Sequence, residues 1–265
     1  MIVSPRRPAL LAVLLAVAVA FSVSACGSDD DAGAVGGDGD EIVVSAAASL
    51  KKALTRYGDQ FEGATVRLSF AGSDELAAQI RQGIKPDVFA AANTKLPDQL
   101  FEEGLVEQPV SFATNELVLA VPAGSDKVSS LDDLTAEDVT LAVGAEGVPV
   151  GDYTLEVLSR LPAAQSRALL ANVRSREPDV GGIVGKLTQG AVDAGFVYRS
   201  DVEGTGGKLK AIELPDELKP TVEYGVAIVE GARNKADAQA FIDGLLNGAG
   251  AEALRDNGFG EPAGG

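Results

Sequence analysis

The sequence predicts an α/β fold, and three observations carry that expectation. Short apolar runs alternate with helical patterns along most of the chain. Two of those runs, EIVVSAAASLKKAL and VRLSFAGSDELAAQI, turn from strand to helix through small residues and a serine, Ser49 or Ser73. From Glu41 onward about 225 residues remain, enough for a sizeable core and for one or two domains.

The elements follow in order. Glu41 to Ala46 reads as a strand, and Leu50, Leu54, Tyr57 and Phe61 recur at the spacing of one helix face. Thr65 to Phe70 is a second strand, and Leu76, Ile80 and Ile84 mark the next helix, with Asp74 and Glu75 suiting the dipole of its first turn. Lys85-Pro86-Asp87 breaks that helix before a strand over Val88 to Ala92. A short helix spans Leu96 to Leu105 and stops near Gly104. Glu116 to Val121 and Thr140 to Val143 read as strands, with a helical turn at Leu131 to Leu134 between them. Helices are expected from Gly151 to Leu161 and from Val180 to Leu187, the second entered through Pro178-Asp179. Asp193 to Tyr198 and Thr221 to Val229 are strands, and helices over Lys235 to Leu246 and near Gly250 to Asp256 close the body. There is no fixed-period repeat and no glycine-rich nucleotide loop.

The N-terminus is a separate unit. Arg6 and Arg7, an apolar stretch from Ala9 to Phe21 and the small residues before Cys26 read as a secretory signal over residues 1–25. That stretch falls short of the ~20 residues a spanning helix needs. Cys26, the sole cysteine, sits at the cleavage junction and resembles a lipobox cysteine, so residues 26–40 are expected to be a lipidated cysteine and a disordered Gly- and Asp-rich tether. The last residues, 261–265, read as a frayed tail.

Composition excludes several functions. With no histidine and one cysteine, His-based triads, Cys-His nucleophiles and ordinary zinc sites are excluded. Removing Arg6 and Arg7 from the 22 basic residues leaves 20 against 39 acidic ones, a net charge of −19. Such acidity argues against nucleic acid, which needs phosphate-neutralising cations. No acidic pair stands out as the centre of a carboxylate hydrolase.

Ser49 and Ser73 are the candidate site residues that the pattern itself supplies. A helix N-terminus presents N–H groups with no intrahelical partner and carries partial positive charge, so it can seat an anion without Lys or Arg. Serine is equally a common cap of its own helix. The two serines taken alone leave both readings open.

The segments AAASL from Ala46, FAGSDELAAQI from Phe70, KPDVFAAAN from Lys85, NELVLAVP from Asn115, LAVGAEGVPVGDYTLEVL from Leu141, DVGGIVGKLTQGAVDAGFVYRSDV from Asp179 and VEYGVAIVEGARNKADAQAFIDGLL from Val222 occur in this order. Together they resemble the substrate-binding proteins of ABC-type molybdate importers. The resemblance implies a two-lobed periplasmic-binding-protein fold of type II, with mixed sheets flanked by helices and the chain crossing twice between lobes. Lobe 1 would hold residues 41–118 and 222–260, and lobe 2 residues 119–221.

The resemblance also implies the site. Hydroxyl and backbone N–H of Ser49 and Ser73 would hold the oxyanion from lobe 1. Backbone N–H groups of Val150 and Val180 and the Tyr198 hydroxyl would complete the shell from lobe 2. By the residues alone, both valines and Tyr198 read as core. Gly72, where the family often has serine, would loosen the turn that aims Ser73, and Val150 stands where alanine is usual.

The implied function is not enzymatic. It is capture of molybdate or tungstate, without cofactor, by a monomer lipid-anchored on the outer face of the cytoplasmic membrane. Delivery would be to an ABC permease with a separate ATPase. No Asp or Glu is among the implied contacts, which favours an unprotonated dianion over phosphate. The alternatives are another tetrahedral oxyanion such as sulfate, a carboxylate-based surface hydrolase, and an adhesive lipoprotein.

Overall fold

The computed structural model describes residues 41–262. The signal, Cys26 and tether expected over residues 1–40 and the last three tail residues lie outside the described residues. Two five-stranded mixed sheets organise the body.

The first sheet has the order β2-β1-β3-β10-β4, with β1 Glu41–Ala47, β2 Thr65–Ala71, β3 Val88–Ala91, β4 Val110–Asn115 and β10 Val222–Ile228. β2, β1 and β3 are parallel, and β10 runs antiparallel to β3 and β4. The second sheet repeats this plan in the order β7-β6-β8-β5-β9. Its strands are β5 Leu117–Pro122, β6 Leu141–Gly144, β7 Val173–Glu177, β8 Ala194–Tyr198 and β9 Leu209–Ile212. Here β7, β6 and β8 are parallel, and β5 runs antiparallel to β8 and β9. The two halves thus share a topology although the sequence shows no repeat.

Burial follows sheet position. The inner strands β3, β6 and β8 are buried at every residue, as parallel strands covered on both faces must be. The outer strands β2 and β7 alternate between more and less exposed residues. The chain leaves the first sheet after Asn115 and enters the second at Leu117, two residues before the boundary read from the sequence, because Leu117 and Val118 pair with Tyr198 and Val197. It returns between Ile212 and Val222.

Helices fill the connections: α1 Lys51–Gln60, α2 Ser73–Arg81, α3 Lys95–Glu102, α4 Pro149–Arg160, α5 Ala163–Ala171, α6 Val180–Thr188, α7 Arg199–Gly204, α8 Lys235–Asn247 and α9 Ala249–Arg255. α1 buries Ala53, Leu54 and Tyr57, and the Tyr57 ring packs against Phe61 and Phe241 of α8. The Lys-Pro-Asp break is structural. Asp87 is buried and accepts from the N–H groups of Val43, Arg233 and Asn234 at 2.8, 2.7 and 3.3 Å, tying β1 to the approach to α8.

Three side-chain contacts join the halves near the crossings. The Tyr198 and Tyr224 rings meet edge to face with centroids 5.9 Å apart, Asn115 Nδ2 donates to Ser200 Oγ at 2.8 Å, and Arg199 pairs with Glu116 at 2.5 Å. Among the described residues no helix is long and apolar enough to cross a membrane.

Candidate functional site

The C-terminal ends of the parallel strands of both sheets converge on one cavity of about 20 Å³. Its wall is built from the ends of β1 and β2, Ala92 after β3, the turns entering α4 and α6, and Tyr198 at the end of β8. Ligands of open α/β sheets lie at this edge for a physical reason: the strands end there and the following helices begin. All five expected residues, Ser49, Ser73, Val150, Val180 and Tyr198, are buried and line this cavity.

Neither serine caps its helix. Ser49 lies inside a 3₁₀ turn, Ala48–Leu50, that runs into α1. Ser73 is the first residue of α2, behind Gly72 as N-cap, and no side chain caps that helix. The serine oxygens are occupied otherwise. Ser73 Oγ accepts from Ala92 N–H at 3.0 Å, which leaves its own proton free to donate. Ser49 Oγ lies 2.9 Å from the Tyr224 hydroxyl, and when Tyr224 donates, the Ser49 proton is likewise free. Tyr224 and Ala92 were not singled out from the sequence. A buried tyrosine's need for a partner could have drawn attention to Tyr224, whereas a backbone donor at an alanine leaves no trace in residue type.

The second sheet contributes backbone. Val150 is the second residue of α4 and Val180 the first of α6, positions whose N–H groups have no intrahelical acceptor. Pro149 at the first position has no N–H to offer. Close packing brings α4 there: a Cβ on Gly151 would collide with the carbonyl oxygen of Ala145, and one on Gly144 would lie 2.5 Å from Gly151 N. The side chains of Val150 and Val180 are buried in the core, as their residue type predicts, and this leaves their backbone N–H groups available for a different role.

The Tyr198 hydroxyl is buried and has no hydrogen-bond partner among the described residues. Burial holds its pKa well above the usual tyrosine range, so it remains a donor. A buried hydroxyl left unpaired costs roughly 1–3 kcal/mol. An acceptor entering the cavity removes that cost.

Two further features of the wall bear on its selectivity. Gly72 is a point of close approach between the lobes, and a Cβ there would run into the backbone carbonyl oxygen of Pro178 across the cleft. Asp179, outside the expected contact set, also lines the cavity. One of its oxygens is engaged, accepting from Gly182 N–H at 3.0 Å as the cap of α6. Behind the wall, Asp201 accepts from Tyr198 N–H at 3.1 Å, and burial pushes its carboxyl up to about 7 against that hydrogen bond. Burial also raises the carboxyl of Asp74, next to Ser73.

Tyr198→Phe is expected to leave the melting temperature of the ligand-free protein unchanged or higher, because it removes an unpaired buried hydroxyl. Under the oxyanion reading expected from the sequence, it lowers oxyanion affinity roughly tenfold to a hundredfold, the worth of a hydrogen bond to a charged group. Thermal unfolding and titration calorimetry on the same variant check the two halves of that statement. Gly72→Ala is expected to hold the lobes apart. Small-angle scattering of the ligand-saturated variant should give a larger radius of gyration than ligand-saturated wild type, and equal radii with equal affinity would contradict the contact.

Residues 42–260 match a family described as bacterial extracellular solute-binding protein. The molybdate-binding protein ModA of Mycobacterium tuberculosis H37Rv is 33% identical over 258 residues, which cover 94% of this chain and 97% of that protein. ModA of Escherichia coli K12 is 33% identical over 238 residues, covering 84% and 90%. The periplasmic molybdate-binding protein of Azotobacter vinelandii superposes with a TM-score of 0.75 over 83% of this chain and 99% of that one, at 21% identity. That likeness confirms the two-lobed periplasmic-binding-protein architecture with its two mixed sheets. With the family match spanning both lobes and the cleft between them, the chain belongs to the bacterial extracellular solute-binding proteins.

Proposed function

We propose that this protein captures molybdate outside the cytoplasm and delivers it to an ABC permease. The observation that carries the ligand class is the Tyr198 hydroxyl, a buried donor without an acceptor among the described residues, at a cavity ringed by further donors. The names of its relatives support molybdate as the member of that class.

The cavity is far below the 300–1,000 Å³ typical of organic ligands, which favours a small inorganic ion over a sugar or peptide. The donors are two serine hydroxyls, a tyrosine hydroxyl and helix-start N–H groups. They are neutral, so they hold an anion without pairing it to a fixed cation. The serines and N–H groups are positioned in advance, Ser73 by Ala92 N–H, Ser49 by Tyr224 and the N–H groups by their helices, while packing against Tyr153 and Tyr224 holds the Tyr198 ring. A fully deprotonated tetrahedral dianion needs donors on every oxygen, which is what this shell offers. Because the donors come in two sets from two lobes, the full shell forms only when the lobes close, which would couple ligand occupancy to a shape the permease can read.

Tungstate, nearly equal in size to molybdate, is expected to bind comparably, and the smaller sulfate to bind more weakly because it cannot meet both walls at once. Asp179 supports a second reading. A carboxylate at the wall can accept from a protonated oxyanion such as phosphate, provided its second oxygen is free.

Titration calorimetry across the four ions decides between these. The first reading expects one-to-one binding of molybdate and tungstate with similar affinity, and weaker sulfate and phosphate. Tight sulfate binding with none of molybdate would overturn it. Tight phosphate binding, lost in Asp179→Asn, would establish the second reading instead.

A further inference from the structure

The cavity adjoins a much larger open groove of about 860 Å³. Ala48 and Ser49 line both, so the groove abuts the wall of the ion site. Its sides come from the two lobes: α1 on one, and α6, α7 and the turn before β9 on the other. Four cationic residues line it, Lys51, Lys52, Arg56 and Lys208, against two carboxylates, Asp59 and Asp201. This local excess of positive charge stands out on a chain whose formal net charge is −17.

Lys51, Lys52 and Lys208 are exposed and form no ion pair among the described residues, whereas Arg56 is neutralised by Asp256 at 2.6 Å. Two of the three free cations are also placed against local stability. Lys51 and Lys52 are the first two residues of α1, a turn with no acidic residue, where the helix dipole disfavours positive charge. An acidic protein that sets unpaired lysines at a helix start, on the border of its anion cavity, gains nothing in folding from that choice.

Resting on the oxyanion reading above, we infer that Lys51, Lys52 and Lys208 form an electrostatic vestibule that steers the dianion into the cleft. The acidic surface elsewhere repels a dianion. A cleft lined by cations focuses the opposite field and raises the rate of encounter, with an effect that salt suppresses. The lysines act on arrival and not on holding, since the cavity wall itself is lined by none of them. The two contributions therefore separate kinetically into association and dissociation rates.

The test is stopped-flow binding of sodium molybdate from low to high ionic strength. The signal is tyrosine fluorescence, since the chain has no tryptophan and three of its four tyrosines, Tyr153, Tyr198 and Tyr224, stack beside the cavity. The triple variant K51Q/K52Q/K208Q is compared with wild type and with a control of equal charge change away from the groove, K85Q/K127Q/K235Q. The vestibule variant is expected to lose on the order of tenfold in association rate at low salt, to converge with wild type at high salt, and to keep its dissociation rate, with a melting temperature equal to or above that of wild type. The control should stay near wild type. An unchanged association rate, an equal loss in the control, or a loss confined to the dissociation rate would each overturn the inference. A wild-type protein that binds no oxyanion at all would remove the parent reading and this one with it.

Discussion

The site depends on one constraint: hydrogen-bond donors that the fold buries without supplying acceptors. Tyr198 ends its strand with a buried hydroxyl unpaired among the described residues, and Val150 and Val180 begin helices with N–H groups that no helical carbonyl can reach. Buried donors without a protein acceptor are costly, and a native chain keeps them where a ligand or water repays the cost. The twin sheets make the arrangement possible. Each brings three parallel strands to one edge, so strand ends and helix starts from both lobes face one another across a small space.

That arrangement also resolves the tension between an acidic chain and the anionic ligand proposed for it. Bulk surface charge is screened within about 8–10 Å at physiological salt, while donors at contact distance act in a buried cavity where each is worth more. The carboxylates nearest the site are restrained by their surroundings. Asp179 is partly used in capping α6, and burial raises Asp201 toward neutral pH. The free lysines of the groove then supply the approach field that the cavity itself lacks.

Much of this was legible in the sequence, and the failures have physical causes. The inner strands and amphipathic helices announced themselves because their burial is strong and periodic. The strand VRSRE over Val173–Glu177 and the strand LKAI over Leu209–Ile212 did not, since each sits at a sheet edge and carries charged residues that solvent accepts. The strand Val110–Asn115 is also an edge strand, and α5 and the six-residue α7 have weak or short apolar faces. Ser49 and Ser73 were found by pattern, but as possible caps. Their actual partners, Tyr224 and Ala92, lie far away in sequence and only the folded chain brings them near. The role proposed for Val150 and Val180 is one of backbone N–H groups, so no residue-type argument could reach it without the family resemblance. The close approach at Gly72 was not legible either, because its constraint is a carbonyl oxygen on the opposite lobe.

On the proposed function, neutral donors from both lobes hold a single oxyanion in the small cavity. Diffraction from crystals grown with molybdate, recorded above the molybdenum absorption edge, would locate it. One anomalous peak is expected, enclosed by Ser49, Ser73, Val150, Val180 and Tyr198. A peak among the groove lysines instead, or an empty cavity in protein that calorimetry shows to be loaded, would contradict it.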